Sequence, residues 1–377
     1  MNIKPELEFA QNRLNDFIEN NIHEYANKRN FDFGPENRSN ISYLSPFISH
    51  RLLFEYDIAK KVLSKFPYLK VEKFIQEIFW RTYWKGWLEL RPDVWSDYKL
   101  SLDDLDKDDR YHEAIEGRTD IDCFNDWVHE LKSKNYLHNH ARMWFASIWI
   151  FTLGLPWQLG AQFFLEHLYD GDAASNTLSW KWVAGLQTKG KHYIARPDNI
   201  QKFTNGRYNN IKLKTSMPPL TDQKDYFIKD QNFHNFEKKY DSLIVLDTDL
   251  YLDEEMTNKY SKIYLIENRN DTRVIKLSDN VSVFKTNLLK SISSHSEKIS
   301  IMTSDTLESL FKNEQNFDVI YPFVGENLDY LRILEASHDL NLNILFRKED
   351  TFCWEFSNKG YFNFKKNIPK IISKFLV

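Results

Sequence analysis

The spacing of apolar residues changes once along this 377-residue chain, and that change sets the architecture. Up to about residue 210 apolar side chains recur every three or four residues: Leu52, Leu53, Tyr56, Ala59, Val62 and Leu63, then Phe74, Ile78 and Phe79 with Trp80. The same rhythm predicts helices over Asp122–Leu131, His138–Phe151 and Trp157–Leu168, with Pro156 as a start signal for the last. A polar stretch headed by Pro218-Pro219 follows. Beyond it, short β-branched runs (Leu243–Leu246, Ile263–Ile266, Ile299–Met302, Val319–Tyr321, Asn343–Phe346) alternate with helical stretches such as Asp305–Phe311 and Glu326–Leu340. Strands alternating with helices indicate a parallel sheet. The expected fold is α + α/β: an all-helical domain over 1–214, a linker over 215–240, and a smaller parallel, Rossmann-like α/β domain over 241–377. A chain of this length can bury two cores.

Composition excludes several classes. The two cysteines, Cys123 and Cys353, match no disulfide or metal spacing, and four-cysteine iron–sulfur ligation is impossible. The polar start does not resemble a signal peptide, and the most apolar stretch, Trp144–Trp157, is broken by Gly154 and Pro156. A cytoplasmic protein with no membrane segment and no metal is therefore expected. Ten of the eleven tryptophans lie between Trp80 and Trp182, which suits either an aromatic core or a chromophore site. The net charge is −4, yet Leu178–Lys214 carries eight Lys/Arg against Asp198 alone, so the rest of the chain is strongly acidic. Such a strip is either a solvated loop or a phosphate-binding surface.

Four constellations carry chemistry. Tyr25 to Phe31, followed by Ser42-Tyr43-Leu44-Ser45-Pro46, offers hydroxyls before a proline-started helix, which is ordinary capping or a phosphate contact. In Glu77-Ile-Phe-Trp80-Arg81, Glu77 and Trp80 share a helical face with Arg81 beside them, as a surface ion pair or a cleft wall. In His138-Asn139-His140-Ala141-Arg142-Met143, the amide, guanidinium and thioether of Asn139, Arg142 and Met143 fall on one face. Such a face suits a polar planar ligand better than a core. His138 and His140 lie on different faces, against a zinc site. Asp170-Gly-Asp172 with Asn176 lacks the closing Glu of a calcium loop, so its acids are expected to meet a ring N–H or a buried Arg. In the second half, Gly325-Glu326-Asn327 after a strand sets a helix N-terminus where a ligand can reach it, without a phosphate-loop fingerprint.

Glu-x-x-Trp-Arg, His-Asn-x-x-Arg-Met, Asp-Gly-Asp-x-x-x-Asn and Trp-x-Trp, in this order and spacing, resemble the FAD domain of the photolyase/cryptochrome superfamily from about Tyr25 to Arg207. The resemblance implies bound FAD. By motif position, Tyr25, Ser42, Leu44 and Ser45 would meet its phosphates and ribitol, with Arg81 nearby. Arg142 would sit against the isoalloxazine and pair with Asp172, Asp170 would lie beside the cofactor, and Asn176 would face N5. Trp180 and Trp157 would begin a tryptophan chain that carries electrons to the flavin.

Glu77, Trp80, Asn139, Met143 and Trp182 match the pocket of enzymes that repair cyclobutane pyrimidine dimers. There Glu77 would hydrogen-bond the lesion and Trp80 would stack on its bases. Lys181 and Lys189 would hold the DNA backbone. The implied function is light-dependent repair of cyclobutane pyrimidine dimers in DNA, a deoxyribodipyrimidine photo-lyase. The alternative is a cryptochrome-like blue-light photoreceptor without repair activity. This sequence departs from the pattern in having Tyr43 for an Arg, and His140 where an Arg would meet DNA. The third electron-transfer slot falls near Leu105, so Trp95, Tyr98 or Tyr111 would complete the chain. The motifs begin with no antenna domain ahead of them. Val319–Phe323 and Trp354–Lys366 resemble that domain's closing strand and hairpin, so an antenna-like domain in permuted order and an unrelated α/β domain both remain open, as does any second chromophore.

Overall fold

The computed structural model describes residues 3–221, 224–230 and 232–376, so three positions of the expected linker lie outside it. In the first half the chain folds into helices α1 (Leu7–Asn20), α2 (Ile22–Lys28), α3 (Ser45–Ser49), α4 (Glu55–Lys65) and α5 (Tyr68–Glu89). These are followed by α6 (Asp93–Ser101), α7 (Asp109–Glu116), α8 (Asp122–Lys134), α9 (Asn139–Ser147), α10 (Trp157–His167), α11 (Ala173–Ala184) and α12 (Pro197–Phe203). A π-helical turn, Ile148–Thr152, continues α9 before Gly154 takes a positive φ of 70° and ends it. Residues 205–241 contain no helix or strand among those described. The described part of this stretch forms a strap tied to the helical domain, with Leu220 N–H donating to Ala184 and Lys229 N–H to Leu90.

Five parallel strands follow: β1 (Ser242–Leu246), β2 (Lys262–Ile266), β3 (Ile299–Met302), β4 (Asn316–Ile320) and β5 (Asn341–Leu345), in the order β3-β2-β1-β4-β5. Helices α13 (Glu254–Lys259), α14 (Asp279–Ser293), α15 (Ser304–Asn313) and α16 (Glu326–His338) connect them. β1 sits centrally and is buried along its length, as its unbroken Leu-Ile-Val-Leu run requires of a strand covered on both faces. Register is continuous, Leu243 lying opposite Ile263 on one side and Asp318 on the other. Buried Asp318 closes one end of the sheet by accepting from Tyr240 N–H, the Tyr260 hydroxyl and Asn343 Nδ2.

The last segment departs from the antenna-like expectation. Residues 354–366, which an antenna-like domain would fold as a hairpin, contain no strand: α17 (Lys348–Trp354) ends in turns over 355–359, and α18 (Tyr361–Lys365) and α19 (Ile368–Phe375) follow. They return to the helical domain and pack along α5. Gly86 permits this approach, because a Cβ there would come within 2.5 Å of Trp354 and 2.6 Å of the Ser357 hydroxyl. Tyr361 donates its hydroxyl to the Gln76 carbonyl at 2.7 Å, and Tyr56 meets Cys353 at 3.0 Å. The apolar core is accordingly continuous from α1 to α19. Among the described residues no helix is long and apolar enough to cross a membrane, and no group of His, Cys, Asp and Glu is placed to hold a metal.

The two halves are joined by buried charge. Arg51, 0% exposed, donates to both oxygens of Asp350 (2.7 and 2.6 Å), to Asp249 (2.9 Å) and to Glu55 (3.1 Å). Arg347 grips Asp249 from the other side at 2.7 and 2.8 Å. Burial alone would raise the Asp249 pKa, but Arg347 and Arg51 hold it down to about 2. Removing one partner from such a cluster strands the others in low dielectric, at a cost of about 3–5 kcal/mol. Arg51→Met is therefore expected to lower stability by about that amount in urea titrations followed by circular dichroism. A loss below about 1 kcal/mol would show that water reaches the cluster.

Candidate functional site

A cavity of about 630 Å³ opens among α2, the 41–45 loop, α5, α9, the end of α10 and α11. That size is within the range of sites for cofactor-sized ligands. Its walls mix large aromatics (Trp80, Trp84, Trp180, Trp182) with Ser42, Ser45, Arg81 and Arg142. The geometry follows from short sequence signals. The Asp170-Gly-Asp172 turn ends the run from α10 with Gly171 N–H bonded to Leu168, and Asp172 caps α11 by accepting from Ser175 N–H at 2.9 Å. Helix α11 then presents Asn176, Ser179, Trp180 and Trp182 to the cavity. Asn176 Nδ2 donates to the Ala161 carbonyl at 2.8 Å, which fixes the orientation of the amide. Gly160 makes room for Trp180, since a Cβ there would lie 2.3 Å from the indole.

Of the expected cofactor set, Tyr25, Ser42, Leu44, Ser45, Arg81, Arg142, Asp170 and Asn176 all line this cavity. Asp172 does not; it stands one layer behind, on a smaller crevice. The expected Arg142–Asp172 pair is also corrected. Arg142 binds Asp170 at 2.9 Å, while Asp172 is held by Arg81 at 2.7 Å. The exchange follows from the turn: Asp172 faces its own helix as N-cap, so Asp170 is left for the guanidinium of α9. Burial pushes both carboxyls up, but Arg142 and Arg81 outweigh it, and both sit below the ordinary carboxylate value. The Glu77–Arg81 ion pair weighed from the sequence is absent too. Glu77 is bound by Arg29 at 2.7 Å; burial raises its pKa and Arg29 opposes the rise.

Glu77, Trp80, Asn139, His140, Met143 and Trp182 lie on the same cavity. One face of Trp80 is covered by Tyr361, which stacks on it with planes 11° apart. His140 stacks on Trp144 and its Nδ1 meets the Asn30 carbonyl at 2.8 Å. Lys181 is not the exposed backbone contact expected of it. It is buried, its ammonium 5.5 Å from the Trp157 ring and 5.1 Å from that of Tyr226. Lys189 is exposed and paired with Asp225. Arg207 is also drawn inward, to Asp32 at 2.9 Å. Lys191, Arg196, Lys202, Lys212 and Lys214 keep the strip's exposed charge.

Trp157 stacks on Tyr98 with ring centres 5.6 Å apart, and Tyr98 in turn contacts Trp95 at 5.6 Å. Two of the three residues considered for the third electron-transfer slot thus continue from Trp157. Tyr111 lies elsewhere, 6.0 Å from Trp149, which is 6.2 Å from Trp180. Sequence reasoning missed Tyr136, which pairs with Tyr43 (4.1 Å) and carries the Arg142 guanidinium 5.3 Å from its ring. An isolated tyrosine before a helix gives no signal of that role. It missed Tyr361 as well, because nothing local ties α18 to α5.

The site is an aromatic-walled cavity lined by an ion pair of half-buried Arg142 with buried Asp170. Residues 74–234 match the family described as the FAD binding domain of DNA photolyase, so the helical domain is similar to the photolyase/cryptochrome superfamily. The chain is 35% identical over 144 residues to a deoxyribodipyrimidine photo-lyase of Streptomyces griseus, covering 34% of this chain and 32% of that protein. It is 28% identical over 196 residues to one from Neurospora crassa, covering 49% and 31%. A solved bacterial class III photolyase from Agrobacterium tumefaciens aligns with 53% of this chain and 43% of that one, at 25% identity and a TM-score of 0.46. The chain thus spans about a third of the length of the two curated relatives.

The cofactor of this domain is FAD. The residues present fit it. The cavity has the volume, its aromatic and aliphatic walls suit a fused ring, and Ser42 and Ser45 add hydroxyl donors. Asp170 Oδ1 is buried without a protein partner, an acceptor for a ligand N–H.

His138 offers a test of the frame. As N-cap of α9 it accepts the His140 N–H on Nδ1 at 3.1 Å, which requires a neutral ring, and burial holds its pKa down to about 3. The unfolded chain binds this proton near pH 6.5, so between that value and about 3 acid favours unfolding. His50 and His167, both held down to about 4 by burial, add to the slope. Unfolding free energy is expected to fall as pH drops from 6.5 to 4, and His138→Asn, which keeps a capping acceptor without titrating there, should flatten the curve. An unchanged slope in the variant would contradict the neutral-cap assignment.

Proposed function

We propose that this protein uses FAD for light-dependent repair of cyclobutane pyrimidine dimers in DNA. The observation that carries this reading is that two residue sets line one cavity: Arg142, Asp170 and Asn176, which this reading gives to the flavin, and Glu77, Trp80, Asn139, Met143 and Trp182, which it gives to the lesion. When bound and excited by blue light, reduced FAD supplies an electron to the lesion. The chain's own residues do the rest. Arg142 and Asp170 form a fixed charge pair against which the ring is held. Glu77, whose proton affinity burial increases, donates to or orients the lesion's carbonyl groups. Trp182 and the open face of Trp80 sandwich bases extruded from the stack. Lys191, Arg196, Lys202, Lys212 and Lys214 engage phosphates through their exposed charge. Tyr25, Ser42, Leu44, Ser45 and Arg81 hold the rest of the cofactor. Trp180 and Trp157, continued by Tyr98, relay electrons to it.

A second reading, a blue-light photoreceptor without repair, draws on two contacts at the mouth: Arg29 occupies Glu77, and Tyr361 covers a face of Trp80. One experiment separates them. The full chain, loaded with FAD and reduced, is illuminated with a dimer-containing oligonucleotide while thymine ultraviolet absorbance is followed. Repair predicts recovery of that absorbance, and Glu77→Ala is expected to slow it by about a hundredfold with flavin content unchanged. Intact flavin photoreduction with no recovery would select the photoreceptor, and an unchanged rate in Glu77→Ala would remove the role given to Glu77.

A further inference from the structure

We propose that the crevice between the two domains, at the carboxyl ends of β1 and β4, binds a small tetrahedral oxyanion of the phosphate type. In the order β3-β2-β1-β4-β5 the chain reverses direction across the sheet between β1 and β4. The loops leaving those two strands diverge, and the gap between them is where open parallel sheets take ligands. Here the gap is roofed by the helical domain, through Lys85 of α5 and the start of α11. Its volume is about 60 Å³, enough for a few waters or one oxyanion and too little for an aromatic heterocycle. The Arg81–Asp172 pair separates it from the flavin cavity.

Two independent features point to an anion. The first is the N-terminus of α16, a thirteen-residue helix that opens on the crevice. Its N-cap is Gly325, which has no side chain to accept from the first-turn N–H groups, so those dipoles face the gap uncapped. Gly325 has φ +154°, and a Cβ there would meet Ala173 at 2.9 Å, so close packing against α11 excludes a capping residue. The second is Arg273, 6% exposed, on the wall of the same crevice. Its Nε donates to the Asn268 carbonyl, while Nη2 is buried with no partner. A buried guanidinium nitrogen without an acceptor is costly unless a ligand supplies one.

The charge balance agrees. Lys85, Lys285 and Arg273 line the gap together with Asp172, Asp247 and Glu326. Lys285 is satisfied by Asp247 at 2.8 Å, and Asp172 is neutralised by Arg81 from outside. Lys85 is buried against the Phe323 ring and makes no ion pair among the described residues. The crevice therefore holds one positive charge in excess, as well as the helix dipole. An oxyanion there would bridge Lys85 of one domain to Arg273 and α16 of the other, strengthening their contact.

The test uses the full chain with FAD bound, so that phosphate cannot report on an empty cofactor cleft. Thermal unfolding is followed in inorganic phosphate against chloride at matched ionic strength, with adenosine monophosphate as a bulky control. A saturable rise in Tm with phosphate and none with the nucleotide is expected, and Arg273→Gln should weaken the apparent affinity about tenfold or more. Equal Tm in phosphate and chloride, or an unchanged response in Arg273→Gln, would overturn the assignment. If Arg273→Gln does not fold, crystals of the unaltered protein grown with tungstate decide the matter. Anomalous density in the crevice supports the site, and density for water alone refutes it.

Discussion

Arg51 is the constraint on which the architecture turns. A guanidinium with no solvent exposure must have its charge matched, and the acids that match it come from both halves: Glu55 from α4, Asp249 from the loop after β1, Asp350 from α17. The residue also takes a positive φ of 50°, a conformation that non-glycine residues adopt only when their surroundings impose it. Because breaking the cluster leaves buried charge unpaired, the domains cannot slide past one another by small steps. Their relative placement is discrete. That placement brings the loops after β1 and β4 against α5 and α11, forming the interdomain crevice, and lets α18 reach Trp80.

The cofactor cleft repeats the same logic on a smaller scale. Two acids two residues apart, Asp170 and Asp172, cannot both be buried near a ligand without two cations. The turn sends them to different ones, Arg142 and Arg81. The first pair lines the cavity and the second divides it from the crevice behind. Each of the two spaces is thus closed by charge pairs already balanced by protein. Among the polar atoms left over are Asp170 Oδ1 on the cleft side, beside Trp180 Nε1 and His138 Nε2, and Arg273 Nη2 on the crevice side.

Helix α5 links the two. Along its 22 residues it carries Glu77, Trp80 and Arg81 at the cleft, Lys85 at the crevice, Gly86 against the C-terminal segment and Glu89 against the loop after β4. Glu89 accepts from the Tyr321 hydroxyl and Val324 N–H, both in the loop that follows β4. Burial lifts its pKa to about 7, against the opposing pull of these two hydrogen bonds. A single rigid element thus carries side chains to the flavin cleft, to the crevice and to the domain seam.

Local rules were enough for much of this. The change of apolar period located the helical half, the strap and the five strands, because each period reports which face of an element is buried. Helical spacing aligned Glu77 with Trp80, and Asn139 with Arg142 and Met143; the family resemblance alone grouped these two faces with Asn176, and in the fold all six line one cavity. What spacing does not encode is which of several charges a buried arginine chooses, or which distant segment covers an exposed ring. The Arg142–Asp170 and Arg29–Glu77 pairs, the burial of Lys181 between Trp157 and Tyr226, and the turns and short helix at 354–366, where an antenna-like domain would have a hairpin, all depend on contacts between elements far apart in sequence. Those are settled by desolvation and close packing, which act on the assembled fold. The sequence by itself determined the elements and the chemical inventory of the cleft; tertiary structure decided the pairing, because only there do buried charges compete for the same partners.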